Sequence, residues 1–260
     1  MLEGSGPAVR EVDHSRAAAA LLQARRTRQW LQALPEPARP GTLGDAYAIQ
    51  DLVARELGPV AGWKVGAASA DSEPFRAPIH AATLFKFTEV LPAEMFHVIG
   101  VEAEIAYQFF HDMPPRDEPY TREEVTNAVD CIHLAFEIVD TRFSAWGSAD
   151  PLSHTADQQN HGALVAGHAV QNWRAIDPLH QRVILSVDGA TRADNIGGNS
   201  AGDPIRLLHW MANLGARSLG GLRAGHIVTT GSHTGTIFIE KGAQIRADFP
   251  SLGSLALSIA

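Results

Sequence analysis

The chain of 260 residues carries one cysteine, Cys131, so no internal disulfide braces it, and such sparing use of thiols fits a reducing cytoplasm. Cys131 stands in an apolar context and reads as a core residue rather than a nucleophile. No apolar run approaches the roughly 20 residues that cross a bilayer, and the opening Met-Leu-Glu-Gly-Ser-Gly lacks the apolar core of a signal peptide, so no membrane role is expected. A lysine- or arginine-rich block is also missing. With 21 basic against 29 acidic residues and a net charge of −8, the chain is a poor partner for nucleic acid. Arg25, Arg26 and Arg28 cluster, but as the polar face of a helix. The glycine-rich pieces Gly197-Gly198-Asn199 and Gly231 to Gly235 fit neither a dinucleotide fingerprint nor a P-loop. They read as turns, the second offering backbone N–H groups to an anion. What remains, 45% hydrophobic and 19% charged, is ordinary globular material, long enough for one large core with a helical appendage.

Residues 1–13 read as a flexible N-terminus and residues 14–60 as a helical section. One helix is expected from His14 to Ala33, with Leu21, Leu22, Trp30 and Leu31 on its apolar side. Pro35, Pro37, Pro40 and Gly41 break it, and a second helix runs from Thr42-Leu43-Gly44-Asp45 to Leu57, before Gly58-Pro59. From Val60 the texture changes to short strands and turns, which assigns 61–260 to one β-rich domain. Pro74 to Leu91 is expected to be a loop-rich, mobile cover, and Phe143 to His161 a polar loop whose His154 and His161 give only a weak metal signal. Thr121-x-x-Glu124 is a capping box, Asp188-Gly189 a hairpin turn, and Asp203-Pro204 a helix start. The last fifty residues read as four strands separated by glycine turns.

The chemistry gathers around Gly100-Val101-Glu102-Ala103-Glu104-Ile105-Ala106. On a strand, residues two apart share a face, so Glu102 and Glu104 project side by side with bases about 7 Å apart. A strand with a solvated acidic face would look the same. A second acidic strand shifts the balance: Ile132, Leu134, Phe136 and Ile138 occupy one face and leave Glu137 alone on the other. A lone carboxylate in so apolar a strand is expensive unless paired or metal-bound. Three carboxylates without a thiol partner favour Mg²⁺ or Mn²⁺ over Zn²⁺ or copper. Lys64, in Gly62-Trp63-Lys64-Val65-Gly66, is either a surface lysine or an active-site one drawn to those acids.

These segments, with Asp45-Ala46-Tyr47-Ala48-Ile49-Gln50, Glu137-Ile138-Val139-Asp140, Trp210-Met211-Ala212-Asn213 and Gly225 to Ser232, fall in the order of a known family over nearly the whole chain. The set resembles the 2-keto-4-pentenoate hydratase/4-oxalocrotonate decarboxylase branch of the fumarylacetoacetate hydrolase superfamily. The resemblance implies an α+β fold, a mixed β-roll carrying a helical N-terminal section, assembled as a homo-oligomer (a dimer or dimer-based ring), with a complex with a pathway enzyme as a further option. It implies Mg²⁺ or Mn²⁺ held by Glu102, Glu104 and Glu137, a 2-oxo acid chelating that ion, Lys64 as the active-site lysine, and Ser69 with Thr230, Gly231 and Ser232 as substrate-facing segments.

Two departures stand out. Where the hydratases carry proline followed by an acid/base aspartate, this chain reads Pro78-Ile79-His80, and Asn160 stands in place of a serine. Ile79 cannot move a proton, so His80 or Lys64 is expected to do so, or the reaction needs fewer proton-transfer groups. The resemblance therefore implies a hydratase acting on a 2-hydroxydienoic acid through an enolate, as in aromatic meta-cleavage catabolism. Its alternatives are a decarboxylase, an acylpyruvate C–C hydrolase and, more remotely, a non-catalytic partner subunit.

Overall fold

Helix-forming periodicity dominates the first part of the chain, and β periodicity the rest. A computed structural model describes residues 12–260, so the expected flexible terminus lies almost entirely outside the described residues. Within them Asp13 caps the first helix, α1 (His14–Thr27), by accepting from the Arg16 N–H. The second, α2 (Leu43–Leu57), opens on a capping box of Thr42 and Asp45. Leu21 and Leu22 of α1 pack against Ile49 and Val53 of α2 in a small separate core.

The first helix stops at Thr27 and does not reach Ala33. Arg28 turns left-handed with φ of 58°, and its guanidinium donates to the carbonyls of Glu94 and Phe96. Trp30 then stacks on His97 with ring centroids 4.2 Å apart, and Leu31 pairs with Phe143. The apolar periodicity through Trp30 and Leu31 was real, but tertiary partners claimed those side chains.

The strands follow as β1 (Val60–Gly66), β2 (Phe75–His80), β3 (Leu84–Lys86), β4 (Val90–Leu91) and β5 (Gly100–Phe109). A short helix α3 (Arg122–Asn127), opened by the Thr121/Glu124 capping box, leads into β6 (Val129–Val139). Next come α4 (Pro151–Ala156), β7 (His161–Val170), the hairpin β8 (Arg182–Val187) and β9 (Ala190–Ile196), and α5 (Pro204–Trp210), capped by Asp203. The chain closes with β10 (Ile227–Ser232), β11 (Ile237–Phe238), β12 (Gln244–Phe249) and β13 (Gly253–Ile259).

Two mixed sheets result. The larger has the order β2-β1-β10-β5-β6-β7-β3 with β11 added to β5, and the smaller the order β4-β13-β12-β8-β9. Val101, Ala103 and Ile105 of β5, with Leu134, Phe136 and Ile138 of β6, enter one core with Leu185, Ile245, Phe249 and Leu257 of the smaller sheet. Each large side chain buried there contributes about 1.5–3 kcal/mol. The opposite faces of β5 and β6 are left for Glu102, Glu104 and Glu137.

Two stretches differ from expectation. Pro74 to Leu91 is mostly strand rather than a loop-rich cover. Its segment Phe75–His80 is buried along nearly its whole length, so no alternation betrays it, and Pro78 is tolerated because β2 lies at the sheet edge. Phe143 to His161 contains α4, capped by Asp150, and its second half is buried rather than a solvated loop. Gln50 of α2 ties these pieces together, its amide donating to the carbonyls of Arg76 (3.2 Å) and Thr155 (2.7 Å).

One close approach sets a test of the fold. Gly62 of β1 pairs with Ile227 of β10, and a Cβ at Gly62 would collide with the Ile227 carbonyl oxygen. Gly62→Ala is expected to cost about 3 kcal/mol, the upper end of ordinary overpacking. The urea midpoint should fall with an unchanged slope, and an unaltered midpoint would show that β1 and β10 do not lie this close.

Candidate active site

Antiparallel pairing of β5 with β6 sets Glu102 directly opposite Glu137 and Glu104 opposite Ala135. Opposed residues share a face, as do residues two apart, so the three carboxylates emerge together. One oxygen from each lies within 4.8 Å of the other two. Glu104 and Glu137 are 1% and 2% exposed, which removes the reading of a solvated acidic face.

Neighbouring strands supply donors. The Thr236 hydroxyl donates to Glu102 Oε1, and the Thr229 hydroxyl to Glu104 Oε2. The Gly231 N–H also reaches Glu104 Oε2, at 3.1 Å. The anion served by this glycine turn is thus one of the protein's own carboxylates. Gly231 sits at φ of 106°, and a Cβ there would stand 3.0 Å from Asn199 Oδ1, so glycine suits both the conformation and the space. Asn199 Nδ2 in turn holds the Thr230 carbonyl at 2.8 Å.

Glu104 Oε1 is buried with no hydrogen-bond partner. Burial, then the charges of Glu137 and Glu102, push the Glu104 carboxyl well above the ordinary 4.5. Burial and then Glu137 also raise Glu102. An orphaned carboxylate oxygen beside two further carboxylates is a hard donor set that suits Mg²⁺ or Mn²⁺. Glu102, Glu104 and Glu137 could therefore hold one divalent cation, whose charge would offset the repulsion. Among the described residues they form the one such cluster, and His154 and His161 do not join it.

Lys64 lies on β1, separated from β5 by β10 alone. Its ammonium pairs with Glu137 Oε1 and donates to the Gln159 carbonyl at 2.9 Å, and its side chain is only 11% exposed. It is not a surface lysine. The carbonyl it uses belongs to an unusual turn in which Gln158, Gln159 and Asn160 all have positive φ, at 53°, 51° and 58°. Left-handed backbone costs about 1–2 kcal/mol per non-glycine residue. Buried charge offsets that cost: Arg142 Nε donates to both Asp157 oxygens at 2.6 and 2.9 Å, and Arg25 reaches Gln158 Oε1 at 3.2 Å. Arg25 is thus no part of a solvated basic face, and burial lowers its guanidinium to about 9.

A cavity of about 380 Å³ opens over the carboxylates. Lys64, Glu102, Glu104, Glu137, Gly231 and Ser232, all expected at the site, line it. Other expected residues lie elsewhere. Ser69 is on an exposed turn beyond β1, its carbonyl held by Arg206 at 3.2 Å. The Thr230 hydroxyl donates to the Ile105 carbonyl at 3.2 Å and serves the backbone. Asn160 is buried at the end of the left-handed turn, a conformation that asparagine tolerates. His80 is also buried off the cavity: the Gln158 amide approaches its Nε2 at 3.0 Å, and Nδ1 lies 3.2 Å from the Gly58 carbonyl. His80 does not line the cavity, and burial lowers its pKa to about 4. Ile79 is fully buried among Ala106, Ala135, Leu164 and Ile227. His154, Gln159, Asn199, Ser200 and Thr236 line the cavity without having been expected there.

The family described as fumarylacetoacetate (FAA) hydrolase C-terminal matches residues 66–260. The chain belongs to the fumarylacetoacetate hydrolase family. It is 27% identical over 250 residues to a 2-keto-4-pentenoate hydratase of Paraburkholderia xenovorans, covering 92% of both chains. With a 2-oxo-hept-4-ene-1,7-dioate hydratase of Escherichia coli it shares 26% identity over 94% of this chain and 96% of that one. The 4-oxalocrotonate decarboxylase of Pseudomonas putida G7, solved with magnesium and adipate, superposes with a TM-score of 0.83 at 19% identity, over 96% of this chain and 100% of that one. At that identity the likeness speaks for the fold, a mixed α and β architecture of the fumarylacetoacetate hydrolase type. Among the described residues no helix is long and apolar enough to cross a membrane.

The raised carboxyls have a signed consequence. A carboxyl whose folded pKa is raised stabilises the fold below its ordinary 4.5 and loses that contribution as pH climbs through the folded value. In EDTA, Glu104→Gln should therefore be more stable than the parent at pH 8, the advantage fading as pH falls toward 4.5. Saturating Mg²⁺ should reverse the order, because the variant loses a ligand. Melting curves check both signs, and a parent that stays the more stable in EDTA at pH 8 would refute the buried, uncompensated carboxylate. Calorimetry should show Mg²⁺ affinity at least about tenfold weaker in Glu104→Gln and Glu137→Gln, the size of a lost charged ligand interaction.

Proposed function

We propose that this member of the fumarylacetoacetate hydrolase family is a divalent-metal-dependent hydratase that adds water to a 2-hydroxydienoic acid through its 2-oxo tautomer. The observation that carries the reading is the three-carboxylate cluster with Lys64 in one cavity, in a chain similar over 92% of its length to a 2-keto-4-pentenoate hydratase. Glu102, Glu104 and Glu137 would hold Mg²⁺ or Mn²⁺, which when bound supplies Lewis-acid polarisation of the 2-oxo group.

The chain's own residues do the rest. Lys64, fixed between Glu137 and the Gln159 carbonyl, places a positive charge in the cavity where negative charge develops during water addition. The Ser232 and Ser200 hydroxyls line the same cavity and orient a polar head group, while Asn199 braces the Thr230–Gly231 backbone beside them. Phe75, Val139 and Trp146 provide apolar wall for an unsaturated tail and limit water around it.

The second reading is a 4-oxalocrotonate-type decarboxylase, in which the same electron shift follows loss of CO₂. The apolar surroundings of Ile79 favour it, since no carboxyl stands at the place where the hydratase pattern carries its acid/base aspartate. The wider reading holds residues 14–60 as a helical section on a β-roll of 61–260, in a cytoplasmic homo-oligomer, with the single buried Cys131 supporting the compartment.

Incubation of the Mg²⁺-loaded protein with 2-hydroxypenta-2,4-dienoate and with 4-oxalocrotonate separates the two. Loss of dienoate absorbance without gas supports hydration, whereas CO₂ release from 4-oxalocrotonate alone supports decarboxylation. Lys64→Met keeps the stem and removes the charge, and is expected to lower kcat by about 10²–10⁴, the usual worth of one acid/base group. Mg²⁺ affinity should not fall, because Glu137 is left without its positive partner. Near-parental kcat in Lys64→Met would reduce the lysine to a structural counter-ion.

A further inference from the structure

Lys64 pairs with Glu137, and the three glutamates form the candidate cation site. The cavity wall carries one other titratable side chain, the imidazole of His154 on α4. Its neighbours Ser153, Thr155 and Ala156 are buried, whereas His154 itself is half-buried at the cavity surface. The Gln159 backbone, whose carbonyl accepts from Lys64, also lies near enough to the His154 ring to favour its protonated form. A neutral imidazole keeps one unprotonated ring nitrogen as an acceptor.

We propose that His154 is the catalytic residue that takes the proton of the attacking water and returns it to the substrate, a role that rests on the hydratase reading. As the water oxygen bonds to C4 of the 2-oxo-3-enoate, one water O–H bond breaks and its proton passes to the free ring nitrogen. The C3=C4 electron pair shifts to C2–C3, and the carbonyl pair to the 2-oxygen. The imidazolium then gives the proton to C3, the carbonyl re-forms, and His154 is neutral again. One water has been added, and nothing is oxidised or reduced.

The surroundings suit this cycle. Burial and then the charge of Lys64 on β1 lower the ring below its usual value, Asp157 on the following turn opposes them, and Arg142 behind the turn adds to the lowering. The ring is therefore in its proton-accepting form at neutral pH. The left-handed turn at 158–160 acquires a purpose, since one carbonyl in it holds the lysine at the cavity wall that His154 shares.

The test uses the Mg²⁺-loaded enzyme with 2-hydroxypenta-2,4-dienoate. His154→Gln keeps a polar side chain of similar length but cannot carry a proton. Its kcat should fall about 10²–10⁴-fold, with KM and calorimetric Mg²⁺ affinity within about threefold of the parent, as for a group acting only in the transition state. The acid limb of the parent's pH–rate profile should disappear. His154→Ala should regain rate in proportion to added imidazole, a response that a structural role would not produce. Independently of turnover, the His154 ring resonances should shift when a 2-oxo acid such as 2-oxopentanoate binds. A His154→Gln enzyme within about threefold of the parent in kcat overturns the proposal, given that one acid/base group is worth far more. So does a His154→Ala enzyme that imidazole leaves slow, or a ring unmoved by the 2-oxo acid. A parent enzyme inert toward the dienoate overturns the hydratase reading, and this proposal with it. An active parent beside an unimpaired variant overturns this proposal alone.

Discussion

Three carboxylates in a space where two of them are almost wholly withdrawn from water is an arrangement that proteins avoid without strong compensation. At low dielectric, like charges within 4.8 Å repel by several kcal/mol, and desolvation adds to the cost. Much of the surrounding structure can be understood as an answer to that repulsion. Lys64 is brought from β1 to pair with Glu137, hydroxyls of Thr229 and Thr236 donate to Glu104 and Glu102, and a glycine turn gives a backbone N–H to Glu104. These donors leave one Glu104 oxygen unsatisfied, and the remaining need is for a small, hard cation.

The scaffold that tolerates this is two-sided. One face of β5 and β6 is locked into the large core with the smaller sheet, so the strands cannot twist the carboxylates apart without disrupting that core. The other face is walled by segments whose own conformations are costly. The run at 158–160 is held left-handed by the buried Arg142–Asp157 pair and by Arg25, and it delivers the Gln159 carbonyl to Lys64. Strain here serves position. Helix α2, through Gln50, ties the turn's preceding helix to β2, so α2 reaches the chemistry through buried hydrogen bonds.

The acidic strands were legible because their signal is local. Period-two alternation over 100–109 and 129–139 is written in consecutive residues, and it separates core-facing from acid-bearing positions whatever the rest of the chain does. The helix start at Thr42 to Asp45, the capping box at Thr121 and the Asp203-Pro204 helix start were equally readable, since capping chemistry reaches only three residues. The end of α1 was not. Periodicity continued through Trp30 and Leu31, and only His97 and Phe143 decided that they leave the helix. The edge strand Phe75–His80 was hidden because it is buried on both faces and interrupted by Pro78.

By itself, then, the sequence determined the acid-bearing strands, the glycine turns and the order of motifs that places the chain in its family. Those follow from propensities and periods within a few residues. Tertiary structure alone decided that Glu137 faces Glu102, that Lys64 meets a carbonyl 95 positions away, and that His154 rather than His80 looks into the cavity. Strand register and long-range hydrogen bonds are pairings between distant segments, and a histidine in a short polar stretch carries no local mark of the wall it will join.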